Sequence, residues 1–439
     1  MLGSVGNFGG TDDGATLYDW AQDLFPICRS LTGDGVRETL KYLGGLLPEL
    51  EIHEISSGSK AMDWEVPDEW NIRDAHVSDL AGNRLIDFRV NNLHVVGYSE
   101  PVDLIVTRAE LDQHLFSLPQ IPNAIPYVTS YYKRFWGFCI EDAARQGLGD
   151  GPFRVVVDST LKPGNLTYAD LVIPGLVDDE IVISTYICHP SMANNELSGP
   201  VVSSALARWL SEGENFFTYR FVFVPETIGS LVYLSKHLNH MKKHTRAGWV
   251  VTCIGDDNQY SYLPSRAGNT ISDRISLRTV RELELDCKVY TFLDRGSDER
   301  QYCAPGVDLP IASLMRSKYG TYPEYHTSLD NLDFISPQGL QGGLDMMKHA
   351  VALMEMNHKW KVTTLGEPQM GARGLYPLIG TATSGLEVED MMNVIAYCDG
   401  TRDLLEISDT CHLSMVDAYE IVKKLLSAQL LIPIIQGNE

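Results

Sequence analysis

The sequence predicts an α/β fold: a mainly parallel sheet with helices on both faces, an all-β insertion and a C-terminal winged helix. Three observations carry that expectation. From about residue 152 to 360, apolar strand-like runs alternate with helical ones, the pattern of a parallel sheet covered on both sides. Between about 62 and 130 the chain turns to short β-type runs punctuated by Pro, Gly and Asn. After a linker near 362–378, VEDMMNVIAYCDG, TRDLLEISDTCH and SMVDAYEIVKKLLSAQLLIP read as three short helices leading to a β-type end, the order of a small winged helix.

Residues 16–48 read as two helices around a turn at Leu31, Thr32 and Gly33, with apolar residues at helical spacing. The runs LIDFRV and LHVVGYS belong to the insertion, and AIPYVTSYYKRFWGFC concentrates aromatic residues, a pattern commoner in a core than in a ligand platform. FRVVVDST, EIVISTYICHP, GPVVSSALARWLSEG, YRFVFVPE, GSLVYLSKHL and GWVVTCIGD then supply the alternation. The division that results is a core domain over residues 1–60 and 131–361, an all-β insertion over 61–130 and a winged-helix domain over 376–439.

The 439 residues carry 58 acidic against 35 basic side chains, a formal net charge of -23, which repels phosphate backbones and anionic lipid. Within residues 386–439, Arg402, Lys423 and Lys424 face ten acidic side chains, so the winged helix is expected to contact protein and not nucleic acid. No run approaches the ~20 apolar residues of a membrane span, and the N-terminus lacks a basic region followed by an apolar one, so a cytoplasmic location is expected. The eight cysteines are scattered without a CxxC pair, which fits reduced thiols. Homo-oligomer formation is compatible with all of this.

A hydrolytic metal site needs about three N/O ligands, an open position and a carboxylate to take a proton from water. Sheets of this kind place sites at the C-terminal ends of strands, where His189, Glu226 and Asp256 fall. His189 follows an apolar strand, and Glu196, seven residues later, opens a helix. Glu226 in FVFVPETIGS stands where a general base belongs. His326 in YHTSLDNLD precedes Asp330 and Asp333, either of which could hold its ring, and GSDERQY adds Asp298 and Glu299 as ligands, supports or plain solvated charge.

In order, CHPSMANNELSG, FVPETIGS, GSDERQY and YHTSLDN resemble the signature segments of the co-catalytic zinc aminopeptidases. That resemblance implies a zinc-exopeptidase, phosphorylase-like α/β core. A second resemblance runs nearly end to end, through LFPICRSLTGDGVRETL, WEVPDEWNIRDA, NNLHVVGYS, AIPYVTSYYKRFWGFC and the final winged helix. It is to an aminopeptidase-like family labelled as polysaccharide-biosynthesis proteins.

By motif position His189 and His326 correspond to zinc ligands and Glu226 to the general base. The bridging Asp of the two-zinc enzymes falls on Asn195, the ligand after the catalytic Glu on Thr227, and a further strand-end Asp near Thr252. An amide or hydroxyl supplies no charge to offset two close cations. One zinc is therefore expected, on His189, His326 and a carboxylate, with Glu196 favoured and Asp298 and Asn195 the alternatives.

The expected reaction is hydrolysis of an amide or peptide bond in a small molecule or short peptide-like substrate. Loss of one ion also removes part of the docking for a free α-amine, pointing to a specialised amidase. Arg29, Arg37 and Arg266 sit in family-like motifs where a guanidinium could hold a substrate carboxylate, or equally form a structural ion pair. The competing expectation is a non-catalytic metal- or sugar-binding protein whose winged helix recruits a partner; Thr227 and Asn195 favour it, and the retained Glu226 opposes it.

Overall fold

The computed structural model describes residues 12–375 and 382–434. The first eleven residues, linker residues 376–381 and the last five residues lie outside it, and with them most of the N-terminal stretch and both ends of the winged-helix domain drawn above. The described chain forms two units, a large one over 12–277 and 285–347 and a small one over 278–284 and 348–434.

The large unit is built on an eight-stranded sheet. Its strands are β1 (Glu51–Ser56), β2 (Asn165–Ile173), β3 (Val177–Tyr186), β4 (Phe217–Val224), β5 (Thr245–Val250), β6 (Tyr260–Leu263), β7 (Cys287–Val289) and β8 (Ile311–Met315). Their spatial order is β1-β2-β4-β3-β5-β8-β6-β7. The central four, β4, β3, β5 and β8, are parallel and almost wholly buried, as near-continuous apolar runs such as IVIS and FVFV require. The sheet expected to be mainly parallel is mixed: β6 and β7 also pair parallel, but β1, β2 and β6 pair antiparallel with their neighbours β2, β4 and β8. Only Pro174, Gly175 and Leu176 separate β2 from β3, too short a link for a crossover, so the chain must reverse.

Two helices predicted near the N-terminus are present: α1 (Gly14–Leu24), capped by the Asp13 side chain on the Thr16 N–H, and α2 (Asp34–Leu46). Between β3 and β4 runs α3 (Ser198–Ser211), and between β4 and β5 runs α4 (Ile228–His244). Gly199 lets the start of α3 press onto the sheet: a Cβ there would stand 2.4 Å from Thr185 Oγ1 and 2.5 Å from the Val251 carbonyl oxygen.

The region read as an all-β insertion is not self-contained. Its strands Glu69–Ser78, Arg84–Asp87 and Val102–Val106 form a four-stranded antiparallel sheet only with Phe153–Lys162, which the sequence pattern assigned to the α/β alternation. It also carries a helix, Arg108–Asp112, with a Thr107/Glu110 capping box. An isolated apolar strand looks the same in either sheet, and its partners lie about 50 to 90 residues upstream.

In the small unit, helices Ala382–Tyr397, Leu404–Cys411 and Met415–Ser427 accompany a three-stranded antiparallel sheet of Lys359–Val362, Asp399–Asp403 and Leu431–Ile434. The three helices and the β-type end match the sequence pattern. The strand Lys359–Val362 pairs here although the sequence pattern runs the core domain to residue 361, because four residues alternating Lys with Trp or Val give no periodic signal until paired. Lys423 pairs with Glu420 at 2.6 Å, and Arg402 lies over the Tyr397 ring. All eight cysteines are unpaired, and among the described residues no helix is long and apolar enough to cross a membrane.

Candidate metal centre

The parallel strands deliver their following residues to one edge of the sheet. His189 lies just beyond β3, Glu226 just beyond β4 and Thr252 just beyond β5, while His326 arrives on the loop after β8. That edge is strained. Four non-glycine residues there, Ser191, Thr227, Cys253 and His326, hold left-handed φ values of 45°, 65°, 48° and 57°. Each such backbone costs about 1–3 kcal/mol and persists where surrounding packing enforces it, most often at functional sites. Asn195 and Glu196 lie on a π-helical turn, Ala193–Leu197, another irregularity associated with sites.

His189 and His326 face each other with ring centroids 5.3 Å apart, and Tyr127 packs edge-on against His326 at 5.1 Å. His189 Nδ1 is bonded to Glu196 Oε2 at 2.8 Å, and its Nε2 lies 3.6 Å from Glu226 Oε2. Glu196 therefore grips the far nitrogen of the ring, and Nε2 is left for the pocket. His326 Nε2 is buried and has no hydrogen-bond partner among the described residues. Burial, with the Arg29 charge adding to it, holds His189 down to about 3, and burial beside His189 holds His326 down to about 3, so both rings are neutral donors.

The carboxyls move the other way. Burial pushes Glu196 up to about 8 against the pull of Arg29, and burial with the nearby Asp298 charge pushes Glu226 up to about 8. Asp298 is raised to about 6 by burial; its Oδ1 accepts from the Thr227 N–H at 2.7 Å and from Ser230 Oγ at 2.9 Å, while its Oδ2 is unpartnered. Cys188, His189 and Glu196 also bring donor atoms within 4.8 Å of one another on the Nδ1 side. There the Cys188 sulfur already accepts the Glu226 N–H, and the buried Arg29 guanidinium stands 3.7 Å from Glu196, a cation that opposes a second one.

The positions where two-zinc enzymes keep further carboxylates carry neutral side chains tied into hydrogen bonds. Tyr186 donates to Asn195 Oδ1 at 2.8 Å, Thr252 Oγ1 bonds the Tyr186 hydroxyl, and Thr227 Oγ1 accepts from Arg300 Nη2. Asp256 is spent on structure, accepting from Asn194 Nδ2, the Asn258 and Ser317 N–H groups and Ser317 Oγ. Asp330 likewise fixes the Asn194 and Asn195 N–H groups and Tyr322 and does not hold His326, whose ring stacks on Tyr325 at 3.9 Å instead. Glu299 accepts from the Gly296 and Ser297 N–H groups and from Tyr319.

A family model described as a domain of unknown function, DUF4910, matches residues 18–357, and a winged helix-turn-helix model matches 358–433. The chain belongs to the DUF4910 family. It is 40% identical over 400 residues, 91% of this chain and 92% of the relative, to a Clostridium acetobutylicum protein described as a polysaccharide biosynthesis protein with aminopeptidase-like domain. A crystal structure of a peptidase from the same organism superposes with a TM-score of 0.90 at 38% identity, over 96% of each chain. The zinc aminopeptidase BSAP of Bacillus subtilis superposes at 0.54 with 12% identity, over 77% of this chain and 94% of that one, which shows a shared fold alone. The end-to-end family resemblance and the aminopeptidase-like core read from the sequence are thus present.

Within this DUF4910 chain a pocket of about 380 Å³ opens at the site, of a size for a small ligand. His189, Glu226 and His326 line it with Tyr127, Tyr131 and Arg300. None of the three arginines expected to hold substrate is among its lining residues. Arg29 is 1% exposed and donates to the Leu24 and His189 carbonyls. Arg37 is paired with Glu69 at 2.6 Å and with Asp34 at 2.7 Å, and Arg266 pairs with Asp308. Arg300 belongs to GSDERQY, a segment that its acids alone mark in the sequence, and the 124–139 aromatics carry the pattern of a core. Phe138 is core, yet Tyr127 and Tyr131, their hydroxyls 2.9 Å apart, form a pocket wall.

Proposed function

We propose that the chain is a metal-dependent hydrolase of an amide or peptide bond in a small substrate, with a single zinc and Glu226 as general base. The observation that supports it most is the unpartnered, buried Nε2 of His326 facing a His189 ring whose own Nδ1 is engaged by Glu196. Two neutral imidazole nitrogens left open beside a carboxylate are a donor set that fits zinc. His189 and His326 would hold the ion. Of the carboxylates considered for a third position, Glu196 gives Oε2 to His189 and Asp298 gives Oδ1 to Thr227 and Ser230, and each keeps one buried oxygen without a hydrogen bond among the described residues. The hydrogen-bonded Asn195, Thr252 and Thr227 leave no carboxylate for a second ion.

Zinc bound there supplies Lewis-acid chemistry to the scissile carbonyl and the attacking water. Glu226, raised toward neutrality by burial and the Asp298 charge, can take a proton from that water and return it to the leaving amine. Glu196, anchored by Arg29, fixes the His189 ring. The aromatic wall excludes water and selects a substrate with an apolar body. The protein is proposed to work in the cytoplasm on a small soluble substrate, with its acidic winged helix contacting protein.

The test is metal analysis of protein purified without added metal, together with amide hydrolysis by wild type and Glu226→Gln. About one zinc per chain and a loss of 10²–10⁴-fold in kcat support the reading. Full activity in Glu226→Gln removes Glu226 as base, and a wild type that binds no metal removes the scheme and favours the non-catalytic alternative.

A further inference from the structure

Arg300 is the feature of the pocket that this mechanism does not use. Arg300 lines the cavity with Glu226, Thr227 and Gln301. Its one side-chain hydrogen bond among the described residues runs from Nη2 to Thr227 Oγ1, a neutral acceptor, and its Nε is buried without a partner. The Glu226 and Asp298 carboxyls feel its charge, but neither is hydrogen-bonded to it.

Position 227 gives this geometry its meaning. In the two-zinc pattern a carboxylate falls there; next to Arg300 it would pair with the guanidinium and cancel it. With Thr227 the hydroxyl orients the guanidinium and leaves its charge intact. A half-buried cation that shares its nearby carboxyls without a direct ion pair to either is incompletely satisfied, and an anion entering the pocket can complete its pairing. The same charge repels an ammonium. One guanidinium close to two carboxyls suits a singly charged planar carboxylate better than a phosphate dianion.

From this we infer that Arg300 is a specificity-determining residue that takes a substrate carboxylate and turns away a free α-ammonium. This deepens the hydrolase reading above and rests on it for the identity of the pocket. The substrate class becomes an amide bearing a carboxylate near the scissile bond, such as an acylated amino acid, in place of a peptide with a free N-terminus. Tyr131 and Trp64, in the same wall, would meet its apolar portion.

Binding calorimetry on the metal-loaded protein tests this with three probes: N-acetyl-leucine, its neutral amide N-acetyl-leucinamide, and the cation leucinamide. Wild type is expected to prefer the carboxylate over its amide by about tenfold or more, the scale of one charged bidentate contact. Arg300→Gln should abolish that preference and admit leucinamide, and Arg300→Lys should restore part of it; circular dichroism checks that both variants fold. An equal preference in wild type and Arg300→Gln would mean that the metal or another group holds the carboxylate, and would overturn the inference. So would a wild type that binds leucinamide best, or one that binds no carboxylate. Carboxylate preference without amide hydrolysis would defeat the hydrolase reading alone, and hydrolysis without that preference would defeat the Arg300 assignment alone.

Discussion

Substitution of Glu196 separates two roles that look alike in sequence, metal ligand and ligand-positioning group. Glu196 Oε2 lies 2.8 Å from His189 Nδ1, and Oε1 lies 3.7 Å from Arg29 Nε, with all three side chains buried. In zinc-loaded protein, where Glu196 is ionised, Glu196→Gln keeps an oxygen for the His189 N–H but removes the charge opposite Arg29, and Glu196→Ala removes both. Leaving a buried cation unpaired costs about 3–5 kcal/mol. Glu196→Ala should therefore lower Tm by about 6–20 °C, at about 2–4 °C per kcal/mol. Glu196→Gln should lose less stability and weaken zinc about 10–100-fold, the usual effect of losing a partner that orients a ligating histidine. Competition against a calibrated chelator reads the affinity and scanning calorimetry the Tm. If Glu196 were a direct ligand, Glu196→Gln would lose stoichiometric zinc altogether. Wild-type affinity and Tm in Glu196→Gln would instead refute the positioning argument.

Further expectations concern charge and packing. In metal-free protein Glu196 and Glu226 keep their protons up to about pH 8 when folded but release them near 4.5 when unfolded, so between those values the folded state binds more protons and stability falls as pH rises. His189 and His326, at about 3 folded against 6.5 unfolded, act oppositely below 6.5, so the net fall is expected from pH 6.5 to 8; a chelated protein whose Tm is flat over that window, or unchanged there by Glu226→Gln, would contradict this. Zinc added to chelated protein at pH 7 should release about one to two protons, read from calorimetry in buffers of different ionisation enthalpy, because carboxyls held protonated by burial must ionise beside the metal; proton uptake would be inconsistent with them. Gly199→Ala should cost about 1–3 kcal/mol, since its methyl must push against Thr185 and the Val251 carbonyl. An unchanged denaturation midpoint would show that the start of α3 has room to shift.

The parts that sequence disclosed are those where local pattern and function coincide. Apolar runs ending in a loop-borne His or Glu mark the exits of β3 and β4 because a parallel strand buried on both faces must be apolar, and its first polar residues must emerge at the end where sites form. His326 has no such strand directly before it, and only its motif placed it. What stayed hidden was which atom meets which. Seven residues separate His189 from Glu196, a spacing that serves a shared metal or a bond to the far ring nitrogen equally well; the ring bond is formed, with the π-helical turn carrying Glu196 toward Arg29. The strand Phe153–Lys162 was visible, but its sheet was not, since pairing with Glu69–Ser78 is a long-range fact.

Arg29 and Arg300 make the same point from opposite sides. Arg29 stands in a recognisable motif and proves to be buried structure, while Arg300 stands among the acids of GSDERQY and proves to face the pocket. Charge type was legible in both cases and the partner was not. Thr227 supplies the missing term: where a carboxylate at that position would have made Arg300 one more internal ion pair, the hydroxyl leaves its charge open to whatever enters the pocket. On the proposed reading, the hydroxyl where the two-zinc pattern has a ligand and the cation offered to the substrate are one feature of the site.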